Sequence, residues 1–167
     1  MENMEPIISI AHFKMQFGKT EVIKNLSFEV KRGETFGFLG SNGSGKTTTI
    51  RALLGIYQPT AGELLVGGKP YSVSSGIKLG YLPEERGLYK KEPVIDIMTY
   101  FGQLKGMSRL DARQKSLDFL KRVDLLDKAK TRLDKLSGGQ QQKVQLGITV
   151  IDNPELLILD EPTKGFD

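Results

Sequence analysis

The chain has 167 residues, enough for one domain with a proper hydrophobic core. Its 24 Lys and Arg against 20 Asp and Glu leave a net charge of +4, and the basic residues are scattered (Lys121, Arg122, Lys128, Lys130, Arg132) rather than stacked on one face, which argues against a nucleic-acid partner. No cysteine and a single histidine, His12, exclude disulfides and thiolate metal sites, argue against a zinc centre and fit a reducing cytosol.

Ile7 to Phe13 and Leu26 to Val30 alternate as strands do, with a turn at Gly18-Lys19 between them. The opening Met1 to Pro6 lacks the charged and apolar regions of a signal peptide, and the longest apolar runs are far too short to span a bilayer, so any membrane role is expected to come through a partner.

Lys31 to Glu34 turns the chain into an apolar, strand-like run, Thr35 to Leu39. Directly after it comes Gly40-Ser41-Asn42-Gly43-Ser44-Gly45-Lys46-Thr47-Thr48, the pattern G-x-x-x-x-G-K-[ST] between a strand and a helix. Gly40, Gly43 and Gly45 permit backbone dihedrals closed to other residues, so successive N–H groups can turn toward an anion at a helix start whose dipole favours negative charge. Lys46 would reach the terminal phosphates and the Thr47 hydroxyl would hold Mg²⁺. With glycine near 7% of average usage, the pattern arises by chance in roughly one chain in a hundred of this length. The bland alternative is a flexible Gly/Ser loop.

From Thr48 the apolar positions Ile50, Leu53, Leu54 and Tyr57 keep helical spacing, and the helix is expected to end before Pro59. Glu63 to Val66 reads as a strand ending in a turn at Gly67-Gly68, and Ile77 to Leu82 as a short apolar strand leading into Pro83 and Glu84. Between Val94 and Asp134 the period becomes helical: Val94, Ile97, Met98, Phe101 and Leu104 share a face, and Ser108 with Asp111 offers a capping box. Leu136-Ser137-Gly138-Gly139-Gln140 reads as another helix start, with Ser137 as cap and Gln140 completing the box; that helix carries Val144, Ile148 and Ile151 on one face and stops near Asn153-Pro154. The run Leu156 to Leu159 then ends at Asp160, which places a carboxylate at the carboxyl end of a buried parallel strand, where α/β folds bind ligands and where it can hold Mg²⁺ through water.

The P-loop, the string Leu136 to Gln140 with Gln141-Gln142-Lys143 after it, and Leu156 to Thr163 stand in the order and spacing of the nucleotide-binding subunits of ATP-binding cassette (ABC) transporters. The chain resembles that family from end to end. The resemblance implies an α/β P-loop NTPase fold, the ABC ATPase, with a mostly parallel core sheet, an N-terminal antiparallel β subdomain and an all-helical insert at residues 84–136, the whole being a single domain (1–167). Because the chain stops at Asp167 inside the D-loop and is short for the family, the expectation is a C-terminally truncated domain that lacks a central strand. Such a fragment would pair Leu156 to Asp160 with the P-loop strand or fill the gap with another chain, and would bind nucleotide weakly and hydrolyse it little.

The family's roles carry over residue by residue. ATP is bound by residues 40–48, with Lys46 stabilising phosphate charge, Thr47 and Asp160 holding Mg²⁺, and Glu161 acting as the general base on the attacking water. Phe17 stands where relatives stack an aromatic on adenine, the alternative being an ordinary hydrophobic of the β unit. Ser137, Gly138, Gly139 and Gln140 form the signature motif, which completes the site of a second ABC ATPase subunit in a head-to-tail, ATP-dependent dimer. Glu84 departs from the family's usual glutamine; it can still touch nucleotide or ligate the metal, while like-charge repulsion would tune turnover, the alternative being an exposed loop glutamate. Gly147 and Lys143 are milder departures, where many relatives carry alanine and arginine.

The implied function is the cytoplasmic ATPase subunit of a transporter, peripheral to the membrane through separate permease subunits. The run Leu82 to Tyr89 looks most like bacterial ABC-2 type sodium or drug exporters. The alternatives are a soluble ABC ATPase working on ribosomes or DNA, and a nucleotide-binding module that does not hydrolyse.

Overall fold

The computed structural model describes residues 5–84 and 89–162, which fall into two compact units, Met1–Ile77 and Lys78–Asp167. Glu85 to Leu88, part of the run read as exporter-like, and Thr163 to Asp167, with the D-loop, lie outside the described residues.

The first unit opens with β1 (Pro6–Phe17) and β2 (Thr20–Lys31), an antiparallel hairpin closed at Gly18, whose φ of 58° is the left-handed turn that glycine accepts readily. Both strands run longer than the alternation suggests. The reason is a bulge: His12 has a φ of 50°, the register with β2 shifts between Ile10 and Phe13, and the inward set passes from Ile8 and Ile10 to Phe13 and Met15. Without that extra residue Phe13, which is fully buried, would face solvent, forfeiting roughly 1.5–3 kcal/mol. The His12 amide, turned away from the ladder, donates to Ser27 Oγ at 2.8 Å.

Residues 35–39, expected as a strand, form no ladder among the described residues, and Phe36 and Leu39 are exposed. A strand exists only by the partners its N–H and C=O groups find, so apolar alternation there does not suffice. Helix α1 (Lys46–Leu53) begins two residues earlier than expected, and β3 (Ala61–Val66) pairs antiparallel with β1, giving the sheet order β2-β1-β3. The N-terminal antiparallel sheet is therefore present as read.

In the second unit, β4 (Leu79–Leu82) leads to α2 (Val94–Leu104), α3 (Arg109–Arg122), α4 (Gly138–Val150) and β5 (Leu156–Leu159), and β4 pairs with β5 in parallel. The helices close on one core of Val94, Ile97, Met98, Leu120, Leu133, Val144 and Ile148. Leu104 does not join it. Helix α2 ends on that residue, which is exposed, and Lys105 turns to donate to Asp152 Oδ1 at 2.6 Å and to the Thr149 carbonyl at 2.9 Å. Ser108 caps α3 by accepting the Asp111 amide at 3.1 Å, but the return arm runs from the Ser108 hydroxyl to the Asp111 carboxylate at 2.6 Å, so the box is only half of the expected kind.

Candidate functional site: a phosphate loop and a buried carboxylate

In the first unit, Gly45 stands immediately ahead of α1 with φ 92° and ψ 10°, a left-handed conformation, and a Cβ there would come within 3.0 Å of Ile23 Cγ1. At Gly40 a Cβ would lie 2.5 Å from Ser44 Oγ, so a side chain there would force the Ser44 hydroxyl to move. Gly43 turns the loop at φ 79°. Ser41, Asn42, Gly43 and Ser44 are exposed, and Gly45, Lys46, Thr47 and Thr48 are half-buried.

Lys46 is the first residue of α1, and its ammonium donates to the carbonyls of Gly40 at 2.7 Å and Ser41 at 3.2 Å. The cation is thereby folded over the loop, next to the helix's first N–H groups, which have no acceptor within the helix. Both features favour an anion at the same place. Thr47 and Thr48 follow in the first turn, and Thr49 faces inward, its hydroxyl donating to the Gly45 carbonyl at 2.9 Å. A cavity of about 330 Å³ opens beside the loop, lined in part by Ile23, Phe38, Gly40, Ser44, Lys46 and Thr49.

Phe17 closes β1 and is 45% exposed, with its ring edge-on to Tyr57 at 5.4 Å. Tyr57 in turn accepts from Arg51 Nη1 at 3.1 Å. A core hydrophobic would be covered, so the exposure fits a ring with a face to offer. Tyr57, read from the sequence only as a helical-face residue, is the ring that Phe17 meets edge-on.

In the second unit, Asp160 follows β5 and is 3% exposed; its amide donates to the Leu82 carbonyl at 2.9 Å, and its Oδ2 has no hydrogen-bond partner among the described residues. A buried carboxylate oxygen left without a donor costs about 1–3 kcal/mol or more. Hard divalent cations and their waters take carboxylate oxygens of this kind, so Asp160 fits a Mg²⁺ site. Glu161 is exposed and adopts φ 51°, unusual for a residue with a side chain. Leu82 pairs with Leu159, so Glu84, half-buried two residues after Leu82, and the pair Asp160-Glu161 emerge at the same carboxyl end of the parallel strands.

The signature string forms the N-terminus of α4. Ser137 Oγ accepts the Gln140 amide at 3.3 Å while Gln140 Oε1 accepts the Ser137 amide at 3.0 Å, a complete capping box. Ser137 and Gly138 are exposed, and Gly139 and Gln140 half-buried. Further along the same helix, Gln142, Gln145 and Thr149 are buried. A polar stripe of this kind reads from sequence as a solvated face, and only the packing reveals that it turns inward.

Residues 23–164 match the ABC transporter family. An uncharacterized ABC transporter ATP-binding protein of Methanocaldococcus jannaschii is 44% identical over 165 residues, covering 98% of this chain and 59% of its own length. The Nod factor export ATP-binding protein I of Rhizobium sp. is 37% identical over 163 residues, covering 96% of this chain and 54% of its own. A solved structure of the ATP-binding subunit of an ABC transporter superposes with a TM-score of 0.82 at 25% identity, covering 96% of this chain and 68% of that one. The chain thus spans little more than half the length of the curated relatives it matches. With a glycine loop wrapped by its own lysine at a helix start, a buried carboxylate ending a parallel strand and a boxed LSGGQ helix, it is built on the same fold as these relatives, and it belongs to the ABC transporter family.

Proposed function

We propose that this chain carries the nucleotide site of an ABC transporter's ATPase subunit, binding ATP with Mg²⁺ and hydrolysing it to drive a separate membrane permease. The observation that supports this most is the Lys46 ammonium held over the Gly40 to Gly45 loop at the start of α1. In the first unit the loop and Lys46 take the phosphates, Phe17 stacks on the base and Thr47 offers an oxygen to Mg²⁺; in the second unit Asp160 offers a carboxylate oxygen to Mg²⁺, an ion that would supply neutralisation of phosphate charge. Glu161 orients and deprotonates the attacking water, and Glu84 tunes the site from the end of β4. Exposed Ser137, with Gly138, Gly139 and Gln140, meets the γ-phosphate held by a second subunit, so that nucleotide itself joins the dimer.

Export is the direction favoured by the Nod factor export relative, in line with the ABC-2 exporter group. No described helix is long and apolar enough to cross a membrane. Attachment to the inner membrane face through the permease belongs to the same proposal. The test is Mg²⁺-dependent ATP turnover by the complete protein, together with its co-purification with a membrane subunit. Tight ATP binding without turnover would instead favour the non-hydrolysing nucleotide-binding reading, and turnover with ribosomes or DNA in place of a membrane subunit the soluble one.

A further inference from the structure

Glu161 holds a left-handed backbone conformation that costs a residue with a side chain about 1–3 kcal/mol and persists only where neighbours over-determine it. Two anchors flank it. On one side, the Asp160 amide donates to the Leu82 carbonyl at the end of β4. On the other, the side-chain amide of Gln142 donates from Nε2 to the Pro162 carbonyl, twenty residues away in sequence. Gln142 is 5% exposed and lies in the second turn of α4, just past the Ser137–Gln140 capping box.

We propose that Gln142 is a positioning residue for hydrolysis: by holding the Pro162 carbonyl it sets the backbone at Glu161 and ties that residue to the helix that begins with the signature string. The inference rests on the reading of Glu161 as the base. A turn pinned at only one end can relax out of the left-handed region, and the carboxylate then leaves the geometry that proton transfer requires. The pin comes from α4, whose N-terminus is the exposed Ser137 and Gly138, so a ligand engaging that terminus acts on the same rigid helix that orients Glu161. Gln142 itself touches neither nucleotide nor water in this scheme.

The test uses the complete protein with Gln142→Met, which keeps side-chain length and loses the donor, and Gln142→Glu, which keeps the shape and also loses it. Glu161→Gln and Gln142→Met/Glu161→Gln serve as references. The expected result is a kcat lowered between about tenfold and a hundredfold, the scale of a slightly misplaced catalytic group. ATP affinity should stay within about threefold, with the melting temperature close to wild type in Gln142→Met and lower in Gln142→Glu, whose buried carboxylate would face the Pro162 carbonyl. In the Glu161→Gln background, Gln142→Met should add no further loss, because the residue it positions is already disabled.

Parallel loss of kcat, affinity and melting temperature in both Gln142 variants would make the residue merely structural and overturn the inference. So would wild-type kcat in both variants, or additive losses in the double variant. If wild type turns over ATP and Glu161→Gln does so equally well, the role of Glu161 falls and this inference with it. Loss in Glu161→Gln with none in the Gln142 variants removes the inference alone.

Discussion

Gly62 in β3 lies so close to His12 at the bulge of β1 that a Cβ built on it would stand 2.4 Å from the His12 carbonyl oxygen. Gly62 also has a φ of 87°, so a side chain there meets both a strained backbone and an immovable neighbour. Gly62→Ala is expected to destabilise the protein by roughly 2–5 kcal/mol, the sum of left-handed strain and overpacking. Urea unfolding of the two proteins measures it, and equal midpoints would show that the bulge tolerates a methyl group.

Gly147 presents the same question inside a helix. A Cβ on it would lie 2.5 Å from the Phe119 ring and 2.7 Å from Met98 Cε, both packed in the helical core. Gly147→Ala gains about 1 kcal/mol of helix propensity and loses about 1–3 kcal/mol to overpacking. A net loss of about 1 kcal/mol is expected: the Met98 terminus can swing aside, while the Phe119 ring has to shift. Thermal unfolding that rises on substitution would mean that the core around Phe119 is loose.

Lys46→Ala removes the cation folded over the loop, whose ammonium already reaches the Gly40 and Ser41 carbonyls. Losing one charge-assisted contact of about 1.5–3 kcal/mol weakens ATP binding roughly ten- to a hundredfold. Titration calorimetry on the two proteins decides it; matching affinities would sink the assignment of the loop.

Glu161→Gln keeps the shape of the side chain and removes its basicity. In the complete protein ATP binding should survive while turnover falls by about 10²–10⁴-fold, the range of a general base. The variant should also accumulate as an ATP-bound dimer, visible by light scattering. Turnover at the wild-type rate would move the base elsewhere.

Much of this protein is legible in its sequence because its key signals are local. A glycine before a lysine at a helix start and a serine three residues before a glutamine each act within one turn of chain, so the loop around Gly45 and the Ser137–Gln140 box were readable from spacing, and the structure forms both. Apart from the run 35–39, the order of the described strands and helices followed in the same way from hydrophobic period.

What spacing does not carry is the partner across space. The His12 bulge depends on Gly62, fifty residues on, and it moved the inward face of β1 by one position. The apolar run 35–39 looked like a strand, but a ladder belongs to two segments at once and this one finds no described neighbour. Gln142 and Tyr57 gained their roles from the Pro162 carbonyl and the Phe17 ring, contacts set by how helices and turns pack within each unit. Local chemistry determined which residues make the loop and the cap, while tertiary packing decided which polar side chains are buried and what they hold, because burial is a property of the neighbours that fold against a residue and not of the residue itself.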